Sequence, residues 1–123
     1  MSFNKAKKIN FLNNYFKEFK SLISNDKETF NKLLKVSELM EKSQKRKKKI
    51  MIAGNGGSAA ISSHFSVDLS KNAGIRSINF NEADLITCFA NDFGYENWLL
   101  KAIKYYGDQG DLLFLVSVSG KSK

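Results

Sequence analysis

Ile50-Met51-Ile52-Ala53 is an unbroken apolar run that passes directly into Gly54-Asn55-Gly56-Gly57-Ser58. A strand with one wet face alternates apolar and polar residues. A strand without alternation is buried on both faces, as in a parallel sheet covered by helices. Glycines at its end permit a tight turn. Ala59, Ala60, Ile61, Phe65 and Leu69 then follow as a helix. Strand, glycine turn and helix in immediate succession constrain the chain to a β-α-β plan. Ser77–Phe80 is predicted as a second strand. Residues 83–90 and 95–105 are predicted helices, separated by Asn91-Asp92-Phe93-Gly94, and Asp111–Val116 is the third and clearest strand. Strands alternating with helices argue for a parallel sheet with right-handed crossovers, an α/β sandwich.

Two helices are expected upstream. Over residues 3–24, Ile9, Leu12, Tyr15, Phe16, Phe19, Leu22 and Ile23 recur at helical spacing. Asn25 or Asp26 is a suitable N-cap for the next helix. That helix puts Phe30, Leu33, Leu34, Ser37 and Met40 on one face, and it ends in Lys45-Arg46-Lys47-Lys48-Lys49, where cations suit the dipole. The expected organisation is one domain over 1–123, with a helical hairpin at 1–49 and an incomplete sheet portion at 50–123. The hairpin is strongly apolar on one side, which fits a partner subunit. A third strand should feed a helix, so the chain is expected to be a C-terminally truncated piece of a longer protein.

Composition narrows the partners. The net charge is +8, from 20 Lys plus Arg against 12 Asp plus Glu, which favours acidic ligands including phosphates. The basic run at 45–49 reads as a solvated helix end, and nucleic acid is not the expected partner. No apolar run reaches the roughly 18 residues of a membrane span. With no secretory signal and a single cysteine, Cys88, the expected location is cytoplasmic. Cys88 is expected to be a core residue, and Trp98, Tyr105 and Tyr106 are expected to pack.

Four motifs carry chemistry. Gly54 to Ala59 joins a strand to a helix N-terminus, where backbone N–H groups meet anions. Ser58 serves there as an N-cap or as a ligand contact. The same spacing satisfies G-x-G-x-x-A, a dinucleotide fingerprint, but the acid that fingerprint needs about 20 residues on is matched only loosely, by Glu82. Ser117-Val118-Ser119-Gly120-Lys121-Ser122 follows the third strand, where open α/β sheets bind ligands. A dinucleotide does not need this second hydroxyl loop, whereas a sugar monophosphate does. His64 and Asp68 share a helix face at i, i+4. They can be an ion pair, a proton-moving pair or two metal ligands, and one histidine does not complete a metal site. Asn91 to Gly94 shapes a turn until a ligand is placed there.

Together these residues resemble the sugar isomerase (SIS) domain family, with its flavodoxin-like three-layer α-β-α sandwich, and within it the phosphoheptose isomerase group. The resemblance runs through Ala53 to Ala60, His64-Phe65, Asp68, Ala90 to Tyr95, Gly110 to Leu113 and Ser117 to Ser122. It implies interconversion of sedoheptulose 7-phosphate and an aldoheptose 7-phosphate through an enediol-type intermediate, for bacterial surface heptose. It assigns phosphate binding to Ser58, Ser117, Ser119 and Ser122, and the sugar site to Asn55, Gly56, Gly57 and Asp92. Asp68 stands at the place of the family's catalytic glutamate and His64 at that of its histidine. No cofactor is required, although some members hold zinc through that pair. The resemblance also implies a homo-oligomer, dimer or tetramer, built on the N-terminal helices. Asp68 is one methylene shorter than glutamate, and Val118 stands where threonine is usual. The family's second acid/base histidine and its neighbouring glutamine belong to a later segment than this chain contains. The alternative within the family is a non-catalytic module that binds a sugar phosphate or a protein such as a replication initiator.

Overall fold

The structure is a computed structural model that describes residues 4–23 and 26–121. The chain divides into two compact units, one ending at Lys35 and the other beginning at Val36.

The first unit holds α1 (Lys5–Leu22) and the first turns of α2 (Lys27–Lys45). Asn4 Oδ1 accepts the Ala6 N–H at 3.0 Å, and Asp26 Oδ1 accepts the Thr29 N–H at 2.7 Å. Asp26 therefore caps α2, and Asn25 lies outside the described residues. α1 buries no residue. Its apolar side chains Leu12, Tyr15, Phe16 and Phe19 stay about half exposed.

The second unit begins inside α2, whose Val36 and Met40 pack on the sheet. α2 ends in a six-residue C-cap. Lys47 takes the left-handed conformation at φ 55°, and the Lys48 N–H reaches back to the Ser43 carbonyl at 3.0 Å. Then follow β1 (Ile50–Gly54), α3 (Gly57–Lys71), β2 (Ser77–Asn79), α4 (Ala83–Phe93), α5 (Trp98–Tyr106) and β3 (Leu112–Val116). The sheet order is β2-β1-β3, all parallel. This α/β architecture, a parallel sheet with helices, is the expected one.

β1 is central, so both of its faces are covered. Ile50 and Ile52 pack with Met40, Leu69 and Ile75 on the α3 side. Met51 and Ala53 pack with Phe80, Trp98 and Ala102 on the α4–α5 side. Ile50 and Ile52 have no exposed surface, and burying each contributes about 1.5–3 kcal/mol. β3 is covered on one side only. Leu112, Phe114 and Val116 face the α3 core, while Leu113 and Leu115 remain 38% and 60% exposed.

Several local expectations are corrected. Asn91, Asp92 and Phe93 form the last turn of α4 and do not separate two helices. The stop is Gly94, at φ 85°, whose N–H closes on the Ala90 carbonyl. Cys88 is exposed, because α4 packs through Leu85, Ile86, Phe89 and Ala90, leaving residue 88 on the opposite face. Trp98 is buried, and Tyr105 and Tyr106, though 68% and 50% exposed, pack their rings against Phe89 and Phe80 as expected. On α3 the apolar residues do not mark the buried face. Ser58, Ser62, Ser66 and Leu69 are buried, while Ile61 and Val67 are exposed. Small side chains let this helix lie close to β1, and the Ser62 hydroxyl satisfies itself on the Ser58 carbonyl at 2.8 Å.

Candidate functional site

The strand order defines where a ligand can sit. From β1 the chain moves to β2 through α3, then returns past β1 to β3 through α4 and α5. The two connections lie on opposite faces. They diverge at the carboxyl ends of β1 and β3, which is the topological switch point of an open α/β sheet. A cavity of about 400 Å³ lies there. Asn55 lines it from the β1 turn, Leu115 and Val116 from β3, and Tyr95, Glu96 and Trp98 from the segment joining α4 to α5.

The β1 turn is built for close approach. A Cβ on Gly54 would meet the Ser58 carbonyl oxygen at 2.5 Å, so only glycine lets α3 start this near the strand. Gly56 caps α3 at φ 57°, with no side-chain hydrogen bond to the helix end. Ser58 is therefore not the N-cap. It sits one residue inside the helix, buried against Gly54. An uncapped helix N-terminus carries a partial positive charge suited to an anion.

Gly54 pairs with Val116 in register, so the turn after β1 and the loop after β3 begin side by side. In that loop the Ser117 Oγ accepts the Gly120 N–H at 3.0 Å and the Ser119 Oγ accepts the Lys121 N–H at 3.2 Å. Each hydroxyl thus keeps its own O–H to donate, the polarity a phosphate oxygen requires. Ser122, the third hydroxyl of the predicted cradle, lies outside the described residues.

Other predicted site residues are placed elsewhere. Asp92 is exposed in the last turn of α4, accepting from Asn91 Nδ2 at 3.0 Å, with the Cys88 Sγ at 3.7 Å. His64 and Asp68 do share a face of α3, His64 Nε2 standing 3.6 Å from Asp68 Oδ2. Asn72 Nδ2 holds the other Asp68 oxygen at 3.0 Å. But they lie six and ten residues beyond Ser58, about 9 and 15 Å along the helix axis. The His64 side chain is 81% exposed and points away from its own sheet, since the buried face of α3 is the serine face.

For zinc, this pair supplies two donors where a catalytic site takes three protein ligands. Among the described residues no three His, Cys, Asp or Glu side chains converge. Among the described residues the zinc ligand set is incomplete.

Tyr95 and Glu96 were not legible as cavity residues. Their positions depend on the Gly94 turn and on Trp98 anchoring the next helix. Tyr95 donates its hydroxyl to Asn55 Oδ1 at 3.2 Å, across 40 residues of sequence.

A tightly coupled charge cluster lies at the other end of the strands. Lys49 Nζ contacts Asp108 Oδ2 at 2.7 Å and Asp111 Oδ2 at 2.6 Å. Asp111 Oδ1 also takes the Lys49 N–H at 3.0 Å, and Asp111 Oδ2 takes the Asp108 N–H at 2.8 Å. The hydrogen bond to Asp108, then that to Asp111, raises Lys49 above its ordinary value against the effect of burial. Burial pushes the Asp111 carboxyl up, but hydrogen bonds from the Lys49 side chain and two backbone N–H groups outweigh it and hold the group below the usual carboxylate value. This cluster ties the start of β1 to the start of β3.

The fold and its turns define the class, a parallel α/β domain with a glycine turn and a serine loop side by side at its switch point. The dinucleotide variant of that class loses its footing, because its strand order runs 3-2-1 and this sheet runs 2-1-3, the flavodoxin-type order. The model of the SIS domain matches residues 14–123, and the chain belongs to this family. It is 34% identical over 102 residues to the phosphoheptose isomerase of Buchnera aphidicola subsp. Acyrthosiphon pisum, covering 79% of this chain and 53% of that protein. It is 30% identical over 121 residues to the phosphoheptose isomerase of Fusobacterium nucleatum, covering 93% and 62%. The solved phosphoheptose isomerase GmhA from Neisseria gonorrhoeae superposes with a TM-score of 0.82 at 24% identity, over 94% of this chain and 62% of that one, a likeness of fold. The chain thus spans between about half and two thirds of the length of these proteins.

Proposed function

We propose that this chain is the phosphate- and sugar-binding part of a ketose–aldose isomerase acting on sedoheptulose 7-phosphate in the making of bacterial surface heptose. The observation that carries this reading is the Gly54–Val116 register, which starts the Asn55–Ser58 turn and the Ser117–Lys121 loop side by side at strand ends that line the switch-point cavity. The phosphate lies between the α3 N-terminus and the hydroxyls of Ser58, Ser117, Ser119 and Ser122. The sugar extends past Asn55, Gly56 and Gly57 toward Asp92. Two relatives at 30–34% identity carry the name phosphoheptose isomerase, which supports the choice of reaction.

Isomerisation moves a proton between adjacent carbons. A base removes it from C1 of the ketose, the electrons pass to the C2 carbonyl, whose oxygen takes up a proton to give the enediol, and the O1 hydroxyl then releases its proton as the C1 carbonyl forms and the first proton returns at C2. Asp68 is the base in this reading and His64 its partner. Both are too far along α3 to serve the cavity at the head of the same helix. They stand beside exposed Ile61 and Val67, 58% and 54% accessible, on a face suited to another subunit. A homo-oligomer in which Asp68 of one copy serves the sugar bound by another reconciles these positions. No described helix is long and apolar enough to cross a membrane, and a cytoplasmic setting belongs to the same reading.

A 31P NMR titration with sedoheptulose 7-phosphate tests the ligand, and a 1H NMR time course on the same sample tests the reaction. Saturable binding that is weakened by Ser119→Ala, at a cost of about 1.5–3 kcal/mol for a lost hydrogen bond to a charged group, is expected. Turnover, where present, should fall sharply in Asp68→Asn with binding kept. No binding of any sugar phosphate would overturn the reading. Binding without turnover in an intact oligomer would favour the non-catalytic sugar-phosphate module.

A further inference from the structure

We propose that Tyr95 is a positioning residue that sets the hydrogen-bonding polarity of Asn55 and thereby selects the oxygen-rich part of the ligand. This rests on the sugar-phosphate reading of the cavity and deepens it.

The observation is the hydrogen bond from the Tyr95 hydroxyl to Asn55 Oδ1 at 3.2 Å, with both residues lining the switch-point cavity. An asparagine amide has one acceptor oxygen and two N–H donors, and unrestrained it can turn either end to a ligand. With Oδ1 engaged by a phenol, the amide offers the cavity its N–H donors. Those recognise carbonyl and hydroxyl oxygens acting as acceptors, the groups of an open-chain ketose.

Tyr95 is placed from two sides. Before it, Gly94 ends α4 at φ 85°, a conformation that L side chains rarely adopt, so the turn belongs to glycine. After it, Trp98 is 8% exposed in the core with Met51 and Ala53. The four residues between α4 and α5 are thus anchored at both ends, and the phenol is delivered to the β1 turn. Besides Glu96, the remainder of the cavity near Asn55 is apolar, formed by Trp98, Leu99, Leu115 and Val116. The orientation of this one amide therefore weighs heavily in what the cavity accepts. Inorganic phosphate, held by the serine loop and the helix N-terminus, should not sense it.

Tyr95→Phe keeps the ring and removes only the donor. Affinity for sedoheptulose 7-phosphate should fall roughly three- to tenfold, the effect of one lost hydrogen bond, while affinity for inorganic phosphate is unchanged. In an Asn55→Ala background the same substitution should have no further effect, since the group it orients is gone. Equal losses for the two ligands, or additive losses in the double variant, would overturn the proposal. A second readout needs no ligand. The side-chain 15N–1H pair of Asn55 should shift and broaden in Tyr95→Phe while the backbone spectrum outside the two turns stays in place. An unmoved Asn55 pair would overturn the positioning role even if the sugar phosphate binds. If wild-type protein binds phosphate but no sugar phosphate, the function proposed above fails, and the Asn55 signature still decides the hydrogen bond.

Discussion

At the residue scale, the three glycines of the β1 turn do different work. Gly54 is excluded from any side chain by the Ser58 backbone, 2.5–2.6 Å from where a Cβ would stand. Gly56 has open space but sits at φ 57°. Gly57 has neither constraint. Chemical denaturation should separate them. Gly54→Ala should cost at least about 1–3 kcal/mol, since backbone has to shift. Gly56→Ala should cost at least about 1–3 kcal/mol, because φ 57° with ψ −123° is a conformation that side chains rarely adopt, and Gly57→Ala should be neutral or slightly stabilising. Equal costs at all three would mean that the turn does not hold this geometry. The pattern G-N-G-G-S announced a glycine turn, but only the backbone path assigns each glycine its reason. Lys47 is the converse case, a side chain at φ 55° where glycine is usual. Lys47→Gly should raise stability by about 0.5–1 kcal/mol, relief of strain partly offset by a more flexible unfolded chain.

At the scale of elements, β1 and β3 are held in register by the Lys49–Asp108–Asp111 cluster as well as by their ladder. Asp111 has a side chain only 2% exposed, and removing its charge leaves Lys49 with the exposed Asp108 alone. Asp111→Asn should cost about 3 kcal/mol, the low end for breaking a buried pair. Lys49→Met should cost less, because Asp111 keeps its two backbone donors. The pH dependence follows from the two shifts. Asp111 is held below the ordinary 3.8, so its contribution is present above that value and is lost as pH falls through the folded-state value. Lys49 is held above 10.5, so its contribution is complete below that pH and is lost as pH rises through its folded-state value. Urea midpoints should therefore fall in acid below about pH 4, and Asp111→Asn should flatten that slope. A midpoint that tracks wild type through acid would remove Asp111 from the account. None of this was visible in sequence, where Lys49 reads as the end of a basic run and its partners lie about 60 residues away.

At the scale of the whole molecule, large apolar surface remains in contact with water. Leu12, Tyr15, Phe16 and Phe19 on α1, Ile61 and Val67 on α3, and Leu115 on β3 are each about half exposed or more. The hydrophobic effect favours covering such surface. Sedimentation velocity should show an assembly larger than one 13.9 kDa chain. Phe16→Glu and Phe19→Glu together should shift it toward monomer without changing the far-ultraviolet circular dichroism. A monomer at all accessible concentrations would count against the proposed oligomer and against a shared site.

Periodicity and residue type were enough to read the α/β plan, because burial on both faces of β1 and glycine at its end leave few arrangements open to a local pattern. They also marked Asn55 to Ser58 and Ser117 to Ser119, which stand directly after β1 and β3. They did not show which way α3 faces, because its buried stripe is serine and its exposed side carries Ile61 and Val67. They did not separate His64 and Asp68 from the cavity, since i, i+4 spacing defines a shared face but not where that face points. They did not bring Tyr95 to Asn55, a contact that exists only when the return connection lays α4 and α5 beside β1. Local signals follow from the backbone's own periods, whereas these distances follow from strand order, which is decided only when the whole core closes.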